Sequence, residues 1–286
     1  MSKAPYLLQR PPAWTSRVIF CSPHSGAAYP DSLIRRSVLD RLALRSSEDA
    51  YVDRLFAGVT DFGAVMLSAT LPRAWVDLNR RSDEFDPALI EGAPRGTLNP
   101  RVASGLGVIP RVVAGGRAIY HGKITKAEAD ARIANVWAPY HACLETLTTQ
   151  ARARFGEAIL LDCHSMPHEA LGMVRTPSGH RPEIVIGDRY GASARACVVE
   201  QIEEAFRAEG FRVARNTPFA GAYVAQHYGR PSRGLHAVQV EIDRSLYMTE
   251  ATLERRPDFG AFQARVLRAA RTIAALGREQ MPLAAE

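Results

Sequence analysis

The sequence predicts an α/β fold: one domain over residues 1–286, built as a three-layer α/β/α sandwich around a central mixed sheet. Three observations predict it. Short apolar runs such as Val18-Ile19-Phe20-Cys21 and Ile159-Leu160-Leu161 recur along the chain, as buried strands do. Segments with apolar residues at helical spacing lie between them, and strands alternating with helices form layered sandwiches. No internal repeat or low-complexity linker breaks the alternation. Hydrophobic residues make up 47% of the chain and charged residues 23%, which is ample for a sizeable core.

The elements follow in order. After a Pro-rich lead, Val18 to Cys21 reads as a strand, and it runs into Ser22-Pro23-His24-Ser25-Gly26. These turn formers place His24 just past a strand end. Residues 31–44 have helical spacing. Ser46-Ser47-Glu48-Asp49 reads as a second helix start, with capping residues followed by acids suited to the positive helix end. That helix would continue through Tyr51, Leu55 and Val59 and put Asp49 and Asp53 on one face. Ala64 to Leu67 reads as a strand, and Arg73 to Arg80, apolar and polar in turn, as another. From Arg81 to Gly116, Gly, Pro and Arg are frequent and helical period is absent. A loop this long in a compact domain is usually functional. Arg95, Arg101 and Arg111 lie on it and Arg117 just beyond.

Thr125 and Glu128 form a capping box for a long helix that Pro139 should bend or split. His141, just after the bend, reads as a core or surface histidine. Glu183 to Ile186 and Phe211 to Ala214 read as strands, and Ser193 to Ala208 as a helix closed by Gly210. Residues 216–234 are Gly-rich and aromatic. Ala237 to Ile242 alternates, so Gln239 and Glu241 share a face and need polar partners if that face lies inside. Pro257 and Asp258 start a final amphipathic helix that runs to about Leu276.

The net charge of +6 favours anionic partners, but no recognition motif points to nucleic acid. Cys21, Cys143, Cys163 and Cys197 form no C-x-x-C pair, which speaks against a structural zinc knuckle, and their spread suits a reducing compartment. Residues 1–17 carry no signal-like apolar region, and no apolar stretch reaches membrane length. The expectation is a cytoplasmic protein without a membrane partner. Oligomeric state leaves no trace in the sequence.

Candidate chemistry centres on Ile159-Leu160-Leu161-Asp162-Cys163-His164-Ser165-Met166-Pro167. An apolar run here enters Asp-Cys-His-Ser, at the strand end where open α/β sheets place their ligands. Asp162 and His164, two apart on a strand, point the same way. A histidine beside a carboxylate suits a metal ligand and its orienting partner; a buried His bonded to an Asp is the plainer reading of the pair alone. Other polar residues at strand and loop ends are His24, Glu48, Asp49, Asn79, Arg80 and Glu241. Two imidazoles and a carboxylate are a usual zinc set that leaves one position open for water.

Four motifs carry a resemblance. Ser22-Pro23-His24-Ser25-Gly26, Asp77-Leu78-Asn79-Arg80, Asp162-Cys163-His164-Ser165-Met166-Pro167 and Gln239-Val240-Glu241-Ile242-Asp243-Arg244-Ser245-Leu246-Tyr247-Met248 resemble the N-formylglutamate amidohydrolases, in the right order from about Ser22 to Met248. That family resembles the zinc carboxypeptidases in fold and site logic. The resemblance implies a phosphorylase/hydrolase-like fold and a Zn²⁺-dependent hydrolase of N-acyl acidic amino acids. The implied substrate is a small anionic acyl amino acid, chiefly N-formyl-L-glutamate, cleaved to formate and L-glutamate in histidine breakdown. His24 and His164 match the family's metal-binding histidines. The acidic ligand comes from Ser47-Glu48-Asp49; the family pattern favours Asp49, with Glu48 as the alternative. Ala27 stands where the carboxypeptidase H-x-x-E pattern has its Glu. Asn79 and Arg80 resemble the pair that holds a substrate carboxylate, and Glu241 matches the base position. Two other readings stay open. One is a deacylase or carboxypeptidase-like enzyme for another acyl amino acid. The other is a binding protein that kept the fold and lost the chemistry, against which a retained Glu241 argues.

Overall fold

A seven-stranded mixed sheet runs through the chain in the order β1-β3-β2-β4-β7-β5-β6. Its strands are β1 (Tyr6–Gln9), β2 (Val18–Ser22), β3 (Val65–Ala69), β4 (Ala158–Met166), β5 (Ile184–Gly187), β6 (Val213–Arg215) and β7 (Leu235–Asp243). The computed structural model describes residues 4–94, 99–176 and 179–277. Arg95 and the two ends of the expected domain lie outside these residues. Strands β3, β2, β4 and β7 are mutually parallel. Strand β1 pairs antiparallel with β3, β5 antiparallel with β7, and β6 parallel with β5. The carboxyl ends of β2, β4 and β7 therefore open on the same edge, with strand order leaving β2 in both directions.

Helices cover both faces: α1 (Asp31–Arg36), α2 (Arg41–Arg45), α3 (Val52–Leu55), α4 (Pro100–Ala103), α5 (Lys126–Arg132), α6 (Ala138–Phe155), α7 (Ala196–Ala208), α8 (Tyr223–Tyr228) and α9 (Phe259–Ala274). Alternate strand residues feed separate cores. Phe20, Met66, Leu161 and Val240 pack with Leu55, Phe206 and Val266 of α3, α7 and α9. Ile19, Cys21, Leu67 and Leu160 pack with Leu33, Leu44, Tyr140 and Val224 of α1, α2, α6 and α8. Burial on both faces is why these strands read as unbroken apolar runs. Each fully buried large side chain contributes about 1.5–3 kcal/mol.

The strand expectations from Val18 onward hold except one, and β1 was not anticipated. Pro139 falls at the start of α6, where a missing N–H is tolerated, and a π turn over Ile133–Trp137 divides the long helix there as expected. Thr125 accepts from the Glu128 N–H at 3.2 Å.

Three local expectations fail, each because a polar side chain or a left-handed residue outweighs periodicity. The helix expected over 31–44 is two short helices. Ser37 leaves helical geometry to bridge Tyr120, and the Asp40 carboxylate then caps α2 by accepting from the Ala43 N–H at 2.7 Å. Ser46 to Asp49 do not start a helix. Ser46 closes α2, and Tyr51, at φ +66°, precedes α3. Asp49 instead donates its N–H to the His24 carbonyl at 3.0 Å. It is thereby separated from Asp53 and presented to the sheet edge. Residues 73–80 form turns, not a strand. The Asp77 carboxylate accepts from the Asn79 N–H at 2.9 Å and from Arg73 at 2.8 Å, curling the loop around itself. The Gly-rich, aromatic residues 216–234 hold α8.

The loop that carries His24 lies tight against its neighbour. A Cβ on Gly26 would sit 2.1 Å from the Leu71 carbonyl oxygen, which is backbone and cannot step aside. Gly26→Ala should lower stability by about 1–3 kcal/mol, read as an earlier urea midpoint with unchanged slope. A parental midpoint would contradict this packing.

Candidate active site

The edge formed by β2, β4 and β7 is the floor of a cavity of about 840 Å³. His24 enters from the loop after β2, His164 from the end of β4, and Glu241 from β7, directly beside His164 in the strand register. Asp49 arrives on the segment between α2 and α3. His24, Asp49 and His164 are buried, and one ligand atom from each lies within 4.8 Å of the others. The two imidazole rings meet edge to face, with centroids 4.7 Å apart.

The hydrogen bonds decide which nitrogens face the centre. His24 Nε2 lies 2.7 Å from Asp77 Oδ1. A carboxylate only accepts, so the His24 proton sits on Nε2 and Nδ1 carries a lone pair. That Nδ1 is buried without a hydrogen-bond partner, 3.5 Å from Asp49 Oδ2. His164 also lies between two carboxylates, with different bonding: Nε2 is 3.0 Å from Asp162 Oδ1, and Nδ1 is 2.9 Å from the same Asp49 oxygen. Asn79 Nδ2, a donor, also lies 3.0 Å from Nε2, so the contact with Asp49 is a hydrogen bond from Nδ1–H, a proton that a cation would replace. One free lone pair, one displaceable imidazole proton and a carboxylate oxygen thus converge on one point. A cation satisfies this arrangement, and a carboxylate behind each imidazole is the usual way to orient a metal-binding histidine. Residues His24, Asp49 and His164 therefore fit a metal ion.

The surroundings hold the carboxylates ionised. Burial alone would raise the pKa of Asp49, but the two histidines and Arg244, which donates to Oδ1 at 2.8 Å, keep it well below the ordinary range. For Asp77, burial is likewise outweighed by His24 and Arg73. Glu241 differs. Burial lifts it to about 7, with the His164 charge the largest opposing effect. Its Oε1 accepts from Gln239 Nε2 at 2.7 Å, and Gln239 Oε1 accepts from the Ala222 N–H at 3.0 Å. The polar face of β7 thus has the partners its burial requires.

Glu48, the alternative acid, faces away from the cavity and accepts from Tyr29 at 3.0 Å and from Arg45 at 2.8 and 2.9 Å. Both ends of the Asn79 amide are occupied. Its Nδ2 donates to Asp162 Oδ2 at 3.0 Å, and its Oδ1 accepts from the Val224 N–H, on α8, at 2.7 Å. Arg80 lines the cavity, with Nε donating to the Leu106 carbonyl at 3.0 Å and Nη1 to that of Asn79 at 2.9 Å. Of the other loop arginines, Arg101 lines the cavity, Arg111 bonds Asp86, and Arg117 bonds Ser46. His141 is a buried core residue, bonded to the Leu78 carbonyl and Tyr228. Sequence reasoning missed the parts played by Asp77, Arg73 and Arg244. Asp77 had a usable signal: a ligand histidine in a loop needs a carboxylate for its outer nitrogen, and Asp77 stands in one of the four motifs.

The sequence is also similar to known proteins. The family model described as N-formylglutamate amidohydrolase matches residues 16–248. An N-formylglutamate deformylase of Pseudomonas aeruginosa is 30% identical over 268 residues, 92% of this chain and 94% of the relative. One of Pseudomonas putida is 28% identical over 236 residues, 82% of each chain. The crystal structure of N-formylglutamate amidohydrolase from Ralstonia eutropha JMP134 superposes with a TM-score of 0.89 at 35% identity, covering 97% of this chain and all of the other. The chain belongs to the N-formylglutamate amidohydrolase family.

Proposed function

We propose that the chain hydrolyses N-formyl-L-glutamate to formate and L-glutamate, with a zinc ion held by His24, Asp49 and His164, and that it does so in histidine breakdown in the cytoplasm. One observation carries the metal reading: two carboxylate-backed imidazoles face a single buried Asp49 oxygen, with His24 Nδ1 otherwise partnerless. Two neutral nitrogens and a carboxylate suit zinc better than magnesium, which prefers oxygen ligands. The names of the relatives support the formyl substrate. Among the described residues no helix is long and apolar enough to cross a membrane.

When bound, zinc supplies Lewis acidity, polarising the formyl carbonyl and lowering the pKa of water. The remaining work falls to side chains. Glu241 takes a proton from the attacking water and delivers it to the departing nitrogen, so that the C–N bond breaks and glutamate leaves as the amine. Gln239 fixes one Glu241 oxygen, and the other makes no hydrogen bond among the described residues. Arg80, anchored by two backbone carbonyls, offers Nη2 to a substrate carboxylate, where a planar guanidinium outperforms an ammonium. Asn79, expected to help hold a substrate carboxylate, has both ends of its amide engaged and acts instead as a positioning residue: it contacts Asp162 and His164 Nε2 and ties them to α8.

Metal content tests the ligand set. Purified parent should hold one zinc per chain, and His24→Ala or His164→Ala should lose it. Asp77→Asn should weaken zinc binding about 10- to 100-fold, while Glu48→Gln should leave it at the parental level. Zinc retained by Asp49→Asn but lost by Glu48→Gln would overturn the assignment.

Turnover tests the base. Glu241→Gln should keep zinc and substrate binding and slow kcat by at least about a hundredfold. Near-parental kcat would remove Glu241 from the proton path, and loss of zinc would make it a ligand.

A further inference from the structure

N-formylglutamate carries two carboxylates, and the anchored Arg80 accounts for one. Arg73, Arg80, Arg101, Arg189 and Arg244 all line the cavity. Arg73 and Arg244 are neutralised by Asp77 and Asp49. Arg101 and Arg189 form no ion pair among the described residues. A side chamber of about 330 Å³ adjoins the main cavity, and Arg80, Arg101 and Arg189 line both spaces. Glu84 is the one carboxylate among the residues lining the side chamber, so three arginines leave the junction net positive.

What separates Arg189 from Arg101 is the backbone beneath it. Arg189 and Tyr190 are consecutive non-glycine residues in the left-handed region, at φ +53° and +56°, and Asn216 opposite them is a third, at +60°. Each such residue costs on the order of 1–3 kcal/mol, and such strain collects where a side chain must be aimed. Here it is clamped. Asn216 accepts from the Asp188 N–H at 3.0 Å and donates to Asp188 Oδ1 at 2.6 Å, while the Arg189 N–H donates to the Ala220 carbonyl at 2.7 Å. The two segments touch backbone to backbone: a Cβ on Gly187 would lie 2.7 Å from Ala220 and Gly221 atoms. The Arg189 guanidinium has one long contact, 3.4 Å from Nη1 to the Gly221 carbonyl. A strained, clasped turn thus delivers a largely uncommitted guanidinium to the cavity wall, whereas Arg101 projects from the four-residue helix α4 and is exposed.

We propose that Arg189 is the specificity-determining residue that reads the side-chain carboxylate of the substrate, restricting the site to acyl amino acids with a second carboxylate. This rests on the reading of the site as an N-formyl amino acid hydrolase. The test compares zinc-loaded parent and Arg189→Asn on N-formyl-L-glutamate and its near-isosteric uncharged counterpart N-formyl-L-glutamine. Asparagine tolerates the left-handed backbone, so the variant removes the charge and keeps the turn. The glutamate-over-glutamine ratio of kcat/KM should fall at least about thirtyfold, as expected for losing a buried charge pair. Calorimetric titration with L-glutamate and L-glutamine should show the same loss of preference without any turnover. A ratio unchanged in Arg189→Asn, or lost only in Arg101→Asn, overturns the proposal, as does a parent that binds the two amino acids equally. A parent that cleaves neither formyl compound sinks the hydrolase reading instead, and the titrations still judge Arg189.

Discussion

Three aspartates, Asp49, Asp77 and Asp162, lie almost wholly out of water at one end of the sheet. An unpaired charge there would cost several kcal/mol, so every neighbouring group has to answer them. Asp77 is met by His24, Arg73 and the Asn79 N–H. Asp162 is met by His164 and the Asn79 amide. Asp49 is met by Arg244 on one oxygen, while the other is left to the two imidazoles and the cation they imply. The pair that satisfies Asp77 fixes the His24 proton on its outer nitrogen, and Asp162 and Asn79 together hold the outer nitrogen of His164. Satisfying the buried charge and aiming the two imidazoles at Asp49 are one structural event.

The fold is arranged to keep this network from relaxing. His24, His164 and Glu241 stand on or just beyond three adjacent parallel strands, so their spacing follows from the sheet. The Asp77–Arg80 loop has no strand beneath it and is supported from the side. His141 donates from Nε2 to the Leu78 carbonyl at 2.9 Å and accepts from Tyr228 at Nδ1. That role requires a neutral ring, and burial holds the His141 pKa down at about 4. Asn79 then joins the loop to α8 through Val224. Apolar packing on both faces of the sheet supplies the stability that such a polar centre does not.

Much of this was legible in the sequence. Two-sided burial writes itself as apolar runs, so β2, β3 and β4 could be read directly and β7 from its alternation, and the order of motifs brought His24, His164 and Glu241 into view. The failures were local. Ser37, Asp40 and Asp77 form side-chain-to-backbone bonds that compete with regular structure, and Tyr51 takes a left-handed backbone that no periodicity announces. Between the adjacent Glu48 and Asp49 the family pattern favoured Asp49, and the hold of Tyr29 and Arg45 on Glu48 could not be read from the sequence. The Arg189–Tyr190 turn was invisible for the same reason as Tyr51: its conformation is imposed by Asn216, far along the chain.

The Nδ1 atoms of His24 and His164 both face Asp49. Anomalous diffraction at the zinc edge, from crystals of protein purified with zinc, tests this most directly. The account predicts one peak, about 2.0–2.2 Å from His24 Nδ1, His164 Nδ1 and an Asp49 oxygen, with Asp77 and Asp162 still on the Nε2 atoms. A peak bound through either Nε2, or a zinc ion held by Glu48 in place of Asp49, would contradict it.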